Sequence, residues 1–263
     1  MKDKIITILK QIEEKHEVKI LYACEAGSRA WGLESISSDY DVRFIYIHPK
    51  SIYLSIDPIG IGSKKDSIEL YNHENIEISG WELTKALRLF RKSNPSLLEW
   101  LQSPKQYYQA YSTIDDMNEL LPTVLDYKSC TLHYLQMARS NFNKTQKETT
   151  NHVKIILNIL RPIFIAKWVI NYHSFPPLDF QRLVNEFIPQ GDLKGAILSL
   201  ITLKRRGMTK TFSDSQILLE YALQEMDYLE ITIKSLHKRQ INITEELNDI
   251  FRNTLNEIKN CLD

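Results

Sequence analysis

The spacing of apolar residues along this chain is helical at its start, strand-like over the next sixty residues and helical again beyond them. Residues 3–16 set Ile5, Ile8, Leu9 and Ile12 at helical spacing with lysines and glutamates on the other side, the pattern of a surface helix packing one face on a sheet. The runs 18–24 (VKILYAC) and 42–47 (VRFIYI) are rich in β-branched and aromatic residues and bounded by turn-formers, so both read as strands. His48-Pro49 ends the second, because proline cannot continue a central ladder. Residues 68–71 and 76–78 alternate apolar and polar around the turn 72–75, a further pair of strands. Gly80-Trp81 is expected to lead into a helix with Leu83, Ala86, Leu87 and Phe90 on one face.

After Pro104 the pattern is helical almost without interruption, with helices predicted over 113–123, 126–147, 151–171, 179–188, 192–204, 214–237 and 243–261. Asp126, and either Ser213 or Asp214, are polar starts that suit N-caps. The stretch 155–170 is broken by Arg161, Pro162 and Lys167 and reads as a buried helix, not a membrane span. Residues 57–67 (DPIGIGSKKDS) read as a loop. Gly60-Ile61-Gly62 has no following helix signal and is not read as a nucleotide loop. All predicted strands lie in the first third, which gives an α+β chain: a small mixed β-sheet followed by an all-helical C-terminal half. The expected division is 1–110 and 111–263.

Composition narrows the class without naming an activity. Apolar residues are 43% and charged residues 25% of the 263, ordinary globular values. Thirty-three basic residues balance thirty-three acidic ones, so no global field draws in nucleic acid and any such binding rests on a local patch. Three cysteines, at 24, 130 and 261, argue against a disulfide framework and fit a reducing compartment. Met1-Lys2-Asp3-Lys4 begins an amphipathic stretch without the apolar core of a signal peptide, so the expected location is the cytoplasm and no membrane is implied.

The chemistry concentrates between the first two strands, in 27–43 (GSRAWGLESISSDYDVR). Alternate strand residues share a face, so Asp39 and Asp41 are expected to point the same way. Two adjacent carboxylates repel unless a cation lies between them, and oxygen-only ligands suit a hard ion such as Mg²⁺. A Gly-Ser turn brings backbone N–H groups and a hydroxyl close to a phosphate. Together these are the equipment for metal-assisted phosphoryl or nucleotidyl transfer. Ser37-Ser38 suit a tight turn into the second strand.

Gly27-Ser28, ten residues, then Asp39-x-Asp41 resemble the nucleotidyltransferase signature of the DNA polymerase β superfamily. With Ile76-Glu77-Ile78-Ser79-Gly80-Trp81-Glu82-Leu83, Lys85-Ala86-Leu87-Arg88 and Asn94-Pro95-Ser96-Leu97-Leu98-Glu99-Trp100-Leu101, the longer pattern looks like the predicted nucleotidyltransferases associated with RNA repair. The resemblance implies a DNA polymerase β-like catalytic core over 1–110 and a helical half behind it. It implies that Asp39, Asp41 and Glu77 act as catalytic and metal-binding carboxylates for two Mg²⁺ ions, with Mn²⁺ as a substitute. Gly27, Ser28, Arg29, Ser38, Lys154 and Arg161 would then serve the nucleotide. Glu77 stands where the superfamily more often has aspartate. Its extra methylene moves the oxygens by about an ångström, enough to matter at a metal site, and Glu82 is its helix-borne rival.

Each residue also has a plainer reading. Arg29 either contacts phosphates or ties the turn to the sheet, and Trp31 and Gly32 read as packing and turn residues. Lys154 and Arg161 share one face of an apolar helix and either reach a triphosphate or serve as a snorkelling lysine and an internal ion pair. Lys204-Arg205-Arg206 and His237-Lys238-Arg239 offer a patch for an anionic acceptor or are solvated helix ends. Arg43 and His48 are spaced like a ribonuclease signature of partner toxins but lie on a strand, which discounts it. The function expected is transfer of an NMP from an NTP to an acceptor hydroxyl with release of pyrophosphate, an RNA end being the favoured acceptor. The alternatives are a protein hydroxyl, a small molecule, or a non-catalytic nucleotide-binding regulator.

Overall fold

The computed structural model describes residues 1–57, 59–61, 65–72, 75–145, 152–208, 215–239 and 241–260. In chain order the first elements are α1 (Lys2–His16), β1 (Lys19–Glu25), the single turn α2 (Gly27–Ala30), β2 (Tyr40–Ile47), α3 (Lys50–Tyr53), β3 (Ser67–Asn72) and β4 (Ile76–Glu82). Then follow α4 (Leu83–Arg91), α5 (Pro95–Leu101), β5 (Gln106–Gln109) and α6 (Thr113–Val124). The remainder is helical: α7 (Tyr127–Thr145), α8 (His152–Tyr172), α9 (Phe180–Phe187), α10 (Asp192–Arg205), α11 (Ser215–Ser235) and α12 (Thr244–Asn260). The chain forms two compact units, 1–27 with 39–124 and 241–263, and 28–38 with 125–240.

The first unit is built on the sheet. Among the described residues five strands pair in the order β3-β4-β2-β1-β5, with β2 and β4 parallel and the other pairs antiparallel. The chain is α+β, as its pattern predicts. One face of the sheet is closed by α1, whose Ile5, Leu9 and Ile12 join Ile20, Ala23, Val42, Phe44, Tyr46 and Ile78 in one apolar cluster. On the opposite face of β2 Asp41 and Arg43 are partly exposed, while Ile45 and Ile47 further along it are buried.

Two elements differ from the sequence pattern. β4 does not stop before Gly80 but runs on to Glu82, and the helix begins only at Leu83. The parallel ladder with β2 carries the strand past Gly80 through Ile45↔Trp81 and Tyr46↔Glu82, and the glycine makes room for the Phe44 ring, to which a Cβ there would come within 2.2 Å. β5 lies beyond Pro104, in a stretch read as helical. Its sequence QYYQ is mostly exposed, so an edge strand of this kind carries no apolar alternation to betray it.

The predicted helices of the second half are present as α6 to α12, within a few residues at each end. Asp126 caps α7 as expected, its carboxylate accepting the Ser129 N–H at 2.6 Å, whereas Ser213 and Asp214 lie outside the described residues. In the second unit α8 is buried nearly all round, including Ile156, Ile159, Leu160, Ile163 and Phe164, and it packs on α7, α9, α10 and α11. No helix among the described residues is long and apolar enough to cross a membrane. Cys24 and Cys130 are buried free thiols.

Candidate active site

In the sheet unit the site is assembled where β1 ends. Gly27 turns the chain with φ 60°, and its bare Cα meets the Asp41 carboxylate so closely that a Cβ would lie 2.0 Å from Asp41 Oδ2. This close approach, more than conformational freedom alone, requires glycine here. The Ala26 N–H donates to the Asp41 carbonyl at 2.7 Å, and the Asp41 N–H donates to Glu25 Oε1 at 2.8 Å. Asp39 is exposed, one residue before β2 begins.

The parallel register places Glu77 of β4 directly beside Asp41 of β2. Between them lies Arg43, which donates from Nη2 to Glu77 Oε1 at 2.7 Å and sits 3.6 Å from Asp41 Oδ1. The cation that two neighbouring carboxylates demand is therefore supplied by the chain itself on this side. Sequence reasoning noticed Arg43 only as a discounted ribonuclease residue. Glu82 is elsewhere and otherwise occupied. It is fully buried, pairs in register with Tyr46, accepts the Tyr53 hydroxyl proton at 2.7 Å and caps α4 through the Thr84 N–H at 2.8 Å.

In the helical unit lies the loop 28–38 that joins the two halves of the motif. Its turns close on themselves: Arg29 Nη2 donates to the Ser38 carbonyl at 2.8 Å, and the Ser35 N–H to Ser38 Oγ at 2.9 Å. The loop is held by helices. Trp31 lies under the Arg161 guanidinium of α8 at 3.8 Å and its carbonyl accepts the Phe180 N–H of α9 at 3.0 Å. The Gly32 carbonyl accepts both Nε and Nη2 of Arg205 at 3.0 and 2.8 Å. Arg29 thus ties the turn to its own far end, and Arg161, 3% exposed, is spread over an aromatic face.

Lys154 is exposed on α8. It is close enough to the partly buried Lys204 of α10 to lower that lysine's pKa, burial being the larger cause. The second basic triplet is partly structural, since Arg239 donates its N–H to Asp126 and packs over the Tyr127 ring at 5.4 Å.

The sequence matches the RNA repair pathway DNA polymerase beta family over residues 1–253. The chain belongs to this family. It is 39% identical over 259 residues to the uncharacterized protein YcgL of Bacillus subtilis (strain 168), covering 98% of each chain. Among solved structures it is similar to a nucleotidyltransferase-like protein from Exiguobacterium sibiricum 255-15, with a TM-score of 0.33, 12% identity and coverage of 88% of this chain and 75% of that one.

Members of a nucleotidyltransferase family generally work with divalent metals, and the residues here fit such an ion in a particular way. The donors at the motif are carboxylate oxygens, which suit Mg²⁺, and the Asp41 carboxylate packs on Gly27, where a Cβ would displace it. Among the described residues no group of three or more acidic, histidine or cysteine side chains is arranged to hold a metal unaided.

Proposed function

We propose that this chain is a divalent-metal-dependent nucleotidyltransferase that moves an NMP from an NTP to an acceptor hydroxyl and releases pyrophosphate, with an RNA end as the favoured acceptor. The observation that carries the reading is the packing of the Asp41 carboxylate on Gly27, in register with Glu77, in a chain of this family. On this reading residues 1–110 are the catalytic half and 111–263 the helical half.

Asp39 and Asp41 would hold the metal, two Mg²⁺ ions being expected and Mn²⁺ a substitute. When bound, such ions neutralise phosphate charge and stabilise the entering and leaving oxygens of an in-line displacement. The chain's own groups do the remainder. Gly27 and Ser28 present the turn's N–H groups and hydroxyl to the phosphates, and Arg29 and Ser38 shape the far side of that loop. Lys154 offers an exposed ammonium for the triphosphate, and Arg161 holds Trp31 and with it the loop. Glu77, oriented by Arg43, faces the acceptor hydroxyl as its proton acceptor. The neutral net charge favours an acceptor bound by a local patch over one drawn in by long-range attraction.

A second reading, a nucleotide-binding regulator without turnover, draws on one observation: Glu77 is already engaged by Arg43. Transfer assays with each α-labelled NTP and Mg²⁺ separate the two, using wild type, Asp39→Ala and Asp41→Ala with cellular RNA and cellular protein as acceptors. Label on RNA that disappears in both variants, with folding verified by circular dichroism, is the expected result. Label on protein would move the acceptor to a protein hydroxyl. NTP binding without label on either would overturn the RNA acceptor and leave a small-molecule acceptor or a regulator without turnover.

A further inference from the structure

The last residue of β1 is a glutamate with no exposed surface. Its main chain is held from the loop before β5: the Glu25 N–H donates to the Lys105 carbonyl at 2.8 Å, and the Glu25 carbonyl accepts the Ser103 hydroxyl at 2.6 Å. Both of its carboxylate oxygens accept hydrogen bonds. Oε1 accepts the Asp41 N–H at 2.8 Å, and Oε2 accepts the Tyr107 hydroxyl of β5. A buried carboxylate is costly without such donors, and a well-packed apolar residue would serve stability as well.

The local geometry shows what the carboxylate accomplishes. β1 leaves the ladder at Gly27, so the Asp41 carbonyl still finds the Ala26 N–H, but the Asp41 N–H bonds to a side chain where a continuing strand would offer a carbonyl. Both main-chain groups of Asp41 are thereby fixed at the residue whose carboxylate is packed on Gly27.

We propose that Glu25, braced by Tyr107, is a positioning residue for Asp41: its carboxylate sets the main chain from which the Asp41 carboxylate reaches the metal-nucleotide. The proposal rests on the role of Asp41 argued above. Glu25 touches neither nucleotide nor acceptor, and acts through the strand.

The test compares Glu25→Leu, Glu25→Gln and Tyr107→Phe. Glutamine keeps an oxygen acceptor for the Asp41 N–H, whereas leucine fills the space and accepts nothing. Three quantities are read: kcat and KM for transfer from α-labelled ATP to RNA, Mn²⁺ affinity by electron paramagnetic resonance with a non-hydrolysable ATP analogue, and the thermal midpoint. Glu25→Leu should lower kcat and Mn²⁺ affinity about 10–100-fold, the scale at which groups that orient metal ligands act, and Glu25→Gln should restore most of both. A folded Glu25→Leu protein with wild-type kcat and Mn²⁺ affinity would overturn the proposal, as would a glutamine variant as defective as the leucine one. Where Glu25→Leu fails to fold, Tyr107→Phe decides: a partial loss in the same two quantities supports the bracing, and no change overturns it. A wild type that neither transfers label nor binds Mn²⁺ with the analogue would overturn the enzymatic reading itself, an outcome distinct from an active wild type that is indifferent to Glu25.

Discussion

Arg43 reaches from β2 to β4 and donates to Glu77 at 2.7 Å, with the Asp41 carboxylate 3.6 Å from the same nitrogen. One guanidinium thus serves two carboxylates on the same face of the sheet, and the three side chains form a single electrostatic unit. Removing the guanidinium leaves Asp41 and Glu77 adjacent without their common counter-charge. Because Glu77 is partly exposed, at 43% for its side chain, the stabilisation is that of a solvent-screened pair, about 1 kcal/mol or less. Arg43→Met should therefore cost about that much in urea unfolding. In activity it should cost more, about tenfold or greater, because under the proposed function Glu77 is the proton acceptor and a misplaced one is penalised steeply. A double-mutant cycle with Glu77→Gln checks the link: additive effects on kcat would show that the pair does not act as a unit.

Gly27→Ala isolates the turn. A methyl group at this position would stand 2.0 Å from Asp41 Oδ2 and must be carried at φ 60°, a left-handed conformation costing about 1 kcal/mol or somewhat more for an L-residue. The fold should survive with a thermal midpoint lower by about 2–4 °C for each kcal/mol. Activity should fall about a hundredfold as the carboxylate is pushed aside. An alanine variant with near-normal kcat would show that Asp41 does not need its contact with Gly27.

The parts legible in the sequence are those whose signal is local. The runs at 18–24 and 42–47 match β1 and β2 because each is rich in β-branched and aromatic residues and bounded by turn-formers, and α6 to α12 follow from helical spacing alone. Gly27, Asp39 and Asp41 stood out because one short motif contains them. What stayed hidden depends on distant partners. Glu25 reads as a polar end to an apolar run until Tyr107, 82 residues on, is seen to donate to it. Arg43 has no visible task until Glu77, 34 residues on, is brought into register. Arg161 reads as a cation in search of an anion, and finding it on the face of Trp31 requires knowing that 28–38 belongs with the helices. Gly80 reads as a helix opening because nothing near it in sequence announces the ladder with β2 that carries β4 past it.

The last prediction concerns pH and lies away from the site, where β2 ends. His48 packs edge-on to Tyr46 at 5.5 Å between centroids and lines a cleft of about 590 Å³ with His16, Lys65 and Glu69 among its walls. Burial lowers its pKa from the usual 6.5; His16 adds to this and Glu82 opposes it. His16, at the end of α1, is lowered too, by burial and by Lys15. The native state therefore keeps His48 neutral at a pH where the unfolded chain already binds a proton. Protonation draws the equilibrium toward the unfolded state, so stability is intact above pH 6.5 and declines as the pH falls through 6.5 toward the lowered native value. His48→Gln removes this contribution together with its coupling to Glu82 and His16. Urea midpoints at pH 7.5 and 5.5 should then show the wild type losing more stability than the variant on acidification. Parallel losses would mean that His48 titrates alike in both states and that its burial does not oppose its charge.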